Sequence, residues 1–296
     1  MNVWRLNIKP DSDPGTDPRQ FCFDRGILGA GWPVNTSVAN PSQYRNQAKE
    51  KYGDGSWKSF FRAIHTRMEE GDLCWSRDLG GIYYLGRVVG PWRYENGPKH
   101  TRADVVNVRD CDWVEVGETD AVPGKVVNSF RGRTLQRIKG ETVETFSKHI
   151  YSKNRPEQAY VLDGSEIDLF RLLGPMDCED VVGAYLQEEG YRLIPSTCKK
   201  NTPQYEYVLR GPDGQKAFVQ VKQGKQDLSA SDYEHLDGEV YLFTTHGEYR
   251  IEDQKDIYGL ERSRIESFIY DRLSVLSERV QNWVEIHDRL LANPEN

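Results

Sequence analysis

Glycine and aromatic residues interrupt the first 135 residues so often that only short elements fit there. Val3–Ile8 alternates apolar and polar positions, the period of a half-buried strand. Residues 10–18 are rich in Pro, Asp and Gly and read as loop. Three glycines gather around the aromatic in Gly26-Ile27-Leu28-Gly29-Ala30-Gly31-Trp32-Pro33, backbone that turns tightly or is approached closely. Residues 41–52 and 56–70 predict helices, the second with Phe60, Phe61, Ile64 and Met68 at helical spacing. Residues 71–76 and 81–90 predict a hairpin around Asp78–Gly81, and Val105–Val116 and Lys125–Phe130 predict further short strands. Many short strands with glycine-rich turns point to a small barrel.

The pattern then changes. A helix is expected over residues 141–151, a linker over 151–164, and from Asp177 the order helix, strand, strand, strand, helix, strand. Asp177 is placed to cap the first of these helices, whose stripe is Val181, Val182, Tyr185 and Leu186. The last element reads as one long amphipathic helix over residues 262–291. The expected architecture is a two-domain α+β or α/β chain. Residues 1–150 form a β-pseudobarrel, and residues 165–296 a mixed sheet flanked by helices.

Charge follows the same division. Residues 1–150 hold 22 Lys+Arg against 19 Asp+Glu, a balance of +3, and residues 151–296 hold 17 against 27, a balance of -10. The net charge of -7 therefore does not exclude a polyanionic partner for the first part. No run approaches the roughly 20 apolar residues that span a bilayer, and Met1–Asp13 is too polar for a secretory signal. A cytoplasmic protein without membrane partners is expected. Five scattered cysteines without C-x-x-C argue against a disulfide framework or a zinc ribbon.

The chemistry concentrates in the second half. Tyr205–Leu209 and Ala217–Lys222 predict a hairpin across the Gly211-Pro212-Asp213-Gly214 turn. Strand periodicity places Phe218, Gln220 and Lys222 on one face. An amide and an ammonium inside a buried-looking strand break the local pattern, as functional sites do. Glu206 on the partner strand can join them. A carboxylate, an amide oxygen and backbone carbonyls are hard oxygen ligands of the kind magnesium prefers. A lysine beside them could stabilise charge developing on phosphorus. The same residues also suit an ordinary cross-strand ion pair on a solvated face.

Asp177–Tyr191, with a glutamate before an apolar stripe that ends in Gly-Tyr, resembles the first helix of the Mrr-like restriction endonucleases of the PD-(D/E)XK superfamily. Phe218-Val219-Gln220-Val221-Lys222 resembles their Q-x-K strand, and Tyr241–Gly247 their later strand ending in Thr and Gly. The resemblance implies a restriction-endonuclease-like fold over roughly residues 166–260. It also implies a site of Glu179, Glu206, Gln220 and Lys222, with Glu206 and Gln220 holding Mg2+ (or Mn2+). The family usually has aspartate where Glu206 stands, which puts the placement of that carboxylate in question. The lone histidines His235 and His246 are given no role.

The first half resembles, in its glycine and aromatic style, the EVE/PUA-like pseudobarrels that read modified bases. The resemblance rests on Gly31-Trp32, Gly71-Asp72 and Tyr83–Val88. A base is read after leaving the stack, between aromatic or apolar faces. Candidate walls are Trp32, Trp75, Tyr83 and Trp92. Candidate phosphate contacts are Arg77, Arg87, Arg93, Arg102, Arg131 and Arg133. For each tryptophan, core packing is the competing reading.

Together the two resemblances imply a magnesium-dependent endonuclease that cuts DNA, with a modified base as the mark, in restriction of foreign DNA. One centre cuts one strand, so double-strand cleavage calls for a homodimer. The alternatives are an RNA-directed nuclease and a catalytically inactive binding module on a nuclease fold.

Overall fold

The computed structural model describes residues 1–8, 15–34, 38, 40–130, 132, 134–158, 160, 167–198, 205–252 and 255–292. It is a mixed α and β structure with a curled, half-barrel sheet and several helices. Its contacts divide into two compact units, residues 1–167 with 290–296, and residues 168–289. Among the described residues no helix is long and apolar enough to cross a membrane.

In the first unit seven strands form one sheet: β1 (Val3–Leu6), β2 (Ile27–Ala30), β3 (Leu73–Arg77), β4 (Tyr83–Val88), β5 (Arg93–Tyr94), β6 (Asn107–Gly117) and β7 (Leu135–Ile138). Their order is β2-β6-β4-β3-β1-β7, with β5 also on β6. The β3–β4 pairing is the expected hairpin. β1 runs parallel to β3 and antiparallel to β7. As an interior strand it is buried at all four positions, so its polar Arg5 is inside as well. Arg5 Nη2 donates to Gln136 Oε1 at 3.0 Å, which meets part of the cost of burying a charge.

Six helices join these strands: α1 (Pro18–Asp24), α2 (Pro41–Tyr52), α3 (Trp57–Phe61), α4 (Pro98–Ala103), α5 (Gly124–Ser129) and α6 (Glu141–Asn154). The helix expected over 56–70 is α3 followed by a π-helical turn, Arg62–Arg67. The strand expected over Lys125–Phe130 is instead α5, because Pro123 starts a turn whose carbonyl accepts from Val126 and Val127 N–H. Residues 151–154, read as the start of a linker, are the end of α6. Tyr151 OH donates to Asp112 Oδ2 at 2.8 Å, and Arg155 pairs with the same carboxylate at 3.1 Å.

The second unit carries a five-stranded sheet in the order β14-β12-β10-β9-β8. These strands are β8 (Arg192–Leu193), β9 (Tyr207–Arg210), β10 (Lys216–Lys222), β12 (Glu239–Thr244) and β14 (Ile257–Gly259), while β11 (Leu228–Ser229) and β13 (Tyr249–Arg250) pair separately. β9 and β10 are the expected antiparallel hairpin, and β10 and β12 run parallel. The helices are α7 (Leu169–Leu172), α8 (Pro175–Glu188), α9 (Arg262–Asp271) and α10 (Glu278–Ala292).

Two expectations shift. α8 starts two residues before Asp177, at Pro175. Asp177 is therefore its third residue, reaching back to accept Gly174 N–H at 2.7 Å. It satisfies the N–H of the N-cap residue from inside the helix, in place of the first-turn N–H groups a capping Asp177 would have met. The single helix expected over 262–291 is broken into α9 and α10 by a turn at Leu273–Val275. The break lets both segments bury their own stripes, Ile265, Phe268 and Ile269 in one and Val280, Trp283 and Val284 in the other.

Candidate functional site

The hairpin register decides what Glu206 can reach. Tyr207 pairs with Val219, and Glu206 N–H donates to Val219 O at 2.8 Å. The next residue along β10 is Gln220, on the face that Glu206 shares. Glu206 Oε1 accepts from Gln220 Nε2 at 2.6 Å and from Lys222 Nζ at 3.2 Å. Gln220 is 2% exposed, so this amide lies inside the fold. Lys222 and Glu206 keep about a quarter of their side-chain surface, 28% and 25%, so the pair opens to solvent.

Glu179 comes from the first turns of α8. Burial pushes its carboxyl up to about 7, the charge of Glu206 adds to the rise, and Lys222 opposes it. Glu179 is thus coupled electrostatically to Glu206 and Lys222, and Gln220 joins them through its hydrogen bond to Glu206. Two carboxylates and an amide also fit a magnesium ion, which takes hard oxygens and typically only one or two carboxylates. A half-turn of the Gln220 amide exchanges its nitrogen for its oxygen. Among the described residues no three His, Cys, Asp or Glu side chains gather to hold a metal.

Sequence reading missed what fixes the turn after Lys222. Thr245 Oγ1 accepts Gly224 N–H at 2.8 Å and lies 2.8 Å from His246 Nδ1. His246 Nε2 lies 2.6 Å from Asp168 Oδ2, and Arg262 Nη2 donates to the other Asp168 oxygen at 2.8 Å. His246, set aside as a lone histidine, is thus part of a buried bracket. The parallel pairing of β10 with β12 sets Gly224 beside Thr245, and the starts of α7 and α9 bring Asp168 and Arg262 to His246.

In the first unit the expected aromatics separate. Trp75 and Tyr83 are fully buried. Trp75 stacks on Phe146 and donates from Nε1 to Ser147 Oγ at 3.0 Å. Tyr83 meets Phe130 edge-on and accepts from Arg77 Nη1 at 3.3 Å. Both sit on interior strands covered on each side, so neither ring has a face for a base. They belong to the core.

Trp32 and Trp92 are half-buried and meet around one hub. Asn107 Nδ2 donates to Gly31 O at 2.8 Å and to Tyr44 OH at 2.7 Å, while its Oδ1 accepts from Trp92 Nε1 at 3.2 Å. Trp32 itself is held at φ 68°, a left-handed conformation that bulky residues rarely adopt. A Cβ on Gly31 before it would sit 2.0 Å from the Asp104 carboxylate, so any larger residue displaces that side chain.

Beside this hub lies an open cavity of about 660 Å3 whose lining includes His65, Glu69, Trp92, Tyr94 and Arg109. His65 lies on the π-helical turn, stacks on Phe61 and meets Trp92 edge-on at 5.5 Å. Burial and the charges of Arg45 and Arg109 lower its pKa, favouring the neutral imidazole. Arg109 is 5% exposed and donates to the carbonyls of Gly90, Ile64 and Met68. No sequence pattern marks His65, Asn107 or Arg109, because His65 lies on the π-helical turn and the other two on β6, more than 40 residues later.

The expected phosphate contacts fare unevenly. Arg93 is committed to Glu95 and Asp110 at 2.9 and 2.7 Å. Arg77 lies over the Tyr83 and Phe130 rings, and Arg87 over Tyr160. Arg102 is exposed on α4. Arg131 and Arg133 lie outside the described residues.

No protein-family model matches the chain, and no curated protein matches it by sequence. Among solved structures, the YTH domain of Zygosaccharomyces rouxii MRB1, in complex with N6-methyladenosine RNA, is similar at 11% identity. That match covers 54% of this chain and 90% of the other, with a TM-score of 0.27, too low to establish a shared fold.

Proposed function

We propose that the chain is a magnesium-dependent endonuclease of the Mrr-like kind, acting on DNA that carries a modified base. The observation that carries this reading is the double acceptance by Glu206 Oε1 from Gln220 and Lys222. An amide, an ammonium and two carboxylates at the end of a buried hairpin are an expensive arrangement for a merely solvated face.

Glu179, Glu206 and the Gln220 amide oxygen would hold the ion. When bound, magnesium supplies charge for a phosphodiester oxygen and a more acidic water. The chain's own residues supply the rest. Lys222 Nζ, already held by Glu206, is placed to stabilise negative charge developing on phosphorus. Gln220 orients Glu206 from inside the strand.

The first unit would find the mark. Its 660 Å3 cavity, walled by Trp92, Tyr94 and His65, offers an extruded base stacking faces and polar edges. Tyr44 links Trp32 to the same hub, its OH donating to Trp32 O and accepting from Asn107 Nδ2.

The test is digestion of plain, methylated, hydroxymethylated and glucosylated DNA, and of RNA, with magnesium or manganese. Cleavage of a modified DNA is expected, and Lys222→Ala should lower it at least about a hundredfold while DNA binding stays within a few fold. Absence of cleavage of every substrate by the native chain overturns the reading.

A further inference from the structure

A second pocket of the first unit, about 550 Å3, is lined by Thr16, Phe21, Asp24, Arg25, Lys99 and Arg102. Neither the aromatic cavity nor the sequence motifs account for it. Three of its six residues are cationic and one is acidic. The Asp24 carboxylate accepts from Gln20 Nε2 at 2.6 Å. Arg25 lies with its guanidinium carbon 4.6 Å from the centre of the Phe21 ring. This cation–π contact leaves the guanidinium edge available while restricting its motion. Among the described residues neither Arg25 nor Lys99 forms an ion pair. Elsewhere in the unit Arg77 and Arg87 lie on rings and Arg93 is in ion pairs.

We propose that this pocket binds a phosphodiester phosphate of a nucleic-acid strand, through Arg25 and Lys99 with Arg102 beside them. The inference rests on the reader role given to the first unit and names the part of that unit that grips the backbone. Chain connectivity sets its place. Tyr94 lines the aromatic cavity, and Lys99 follows it by five residues, so their Cα atoms are at most about 18 Å apart. About five phosphates of one strand, at roughly 3.4 Å each along the axis, cover that distance. A strand held here could place a nearby base in the cavity. Basic side chains of this kind set register and salt dependence and carry no base identity.

The test compares the native chain with Arg25→Gln/Lys99→Gln and with the charge-keeping Arg25→Lys/Lys99→Arg. Duplex DNA and single-stranded RNA of one sequence are titrated by fluorescence anisotropy from 50 to 200 mM salt. Removing two phosphate contacts should lower the slope of log Kd against log salt by about 1.8 on duplex DNA. The slope on RNA should fall too, and the charge-keeping variant should retain the native slope on both. Inorganic pyrophosphate, titrated calorimetrically, should bind the native and charge-keeping chains and not the glutamine variant. Nucleic-acid binding with an unchanged slope in the glutamine variant overturns the pocket and leaves the reader standing. Pyrophosphate binding that depends on Arg25 and Lys99, in a chain that binds neither DNA nor RNA, supports the pocket and overturns the reader. Pyrophosphate binding equal in all three chains, or absent from the native chain, overturns the pocket.

Discussion

Glu179 sits where two demands conflict. Its place in α8 removes water from the carboxyl, and Glu206 faces it with like charge, so the folded chain holds the proton up to about pH 7. The ordinary value for this group is 4.5. Between those limits the folded state binds more protons than the unfolded state, so stability falls as pH rises through the window and is lost in full above it. Glu179→Gln cannot ionise. In a chelator, its Tm relative to the native chain should therefore rise between pH 4.5 and pH 8. A constant difference across that range, read by thermal unfolding in matched buffers, would show that the carboxyl is not the source. This residue was singled out by the resemblance of Asp177–Tyr191 to a nuclease helix; spacing alone marked only an acid in the first turns. Glu206, Gln220 and Lys222 were legible because a two-residue period and one tight turn fix a hairpin's register. The bracket of Thr245, His246 and Asp168 was not, since Asp168 stands 77 and 78 positions before the other two, at the start of α7.

At the scale of elements, aromatic residues misled where strands are covered on both sides. A strand at the edge of a barrel shows one face to solvent, and an aromatic there is a candidate for stacking. β3 instead lies between β1 and β4, so Trp75 packs inward beneath α6. Trp75→Ala should remove about 3–5 kcal/mol of stability, read by chemical denaturation. Trp92→Ala, at a half-buried ring beside the cavity, should cost less stability and weaken binding to modified DNA. If Trp75→Ala unfolds no more easily than Trp92→Ala, the core assignment fails. The π-helical turn at Arg62–Arg67 teaches the same lesson from the other direction. Its apolar spacing reads as a plain helix, yet the wider turn carries His65 into the cavity lining and sets the Ile64 carbonyl where Arg109 reaches it. Such turns often occur at functional sites.

For the whole molecule, the division of charge sets how a polyanion is met. The half with the nuclease-like hairpin carries -10 and the other half +3. On the proposed function, without a divalent ion the acidic half would oppose a phosphate backbone, and binding would fall to the basic side chains of the first unit. A cation held between Glu179 and Glu206 would reverse the local sign at the one place where phosphate must approach closely. Three measurements separate this from general screening. Native chain in chelator should bind modified DNA with a steep salt dependence. Calcium, which takes oxygen ligands as magnesium does, should then tighten binding at constant ionic strength. Glu179→Gln/Glu206→Gln should bind as the native chain does in chelator, or slightly more tightly because two negative charges are gone, and should gain nothing from calcium. An equal gain in the native chain and the double variant would place the cation's effect on the DNA, and the two glutamates would lose their assignment as its ligands.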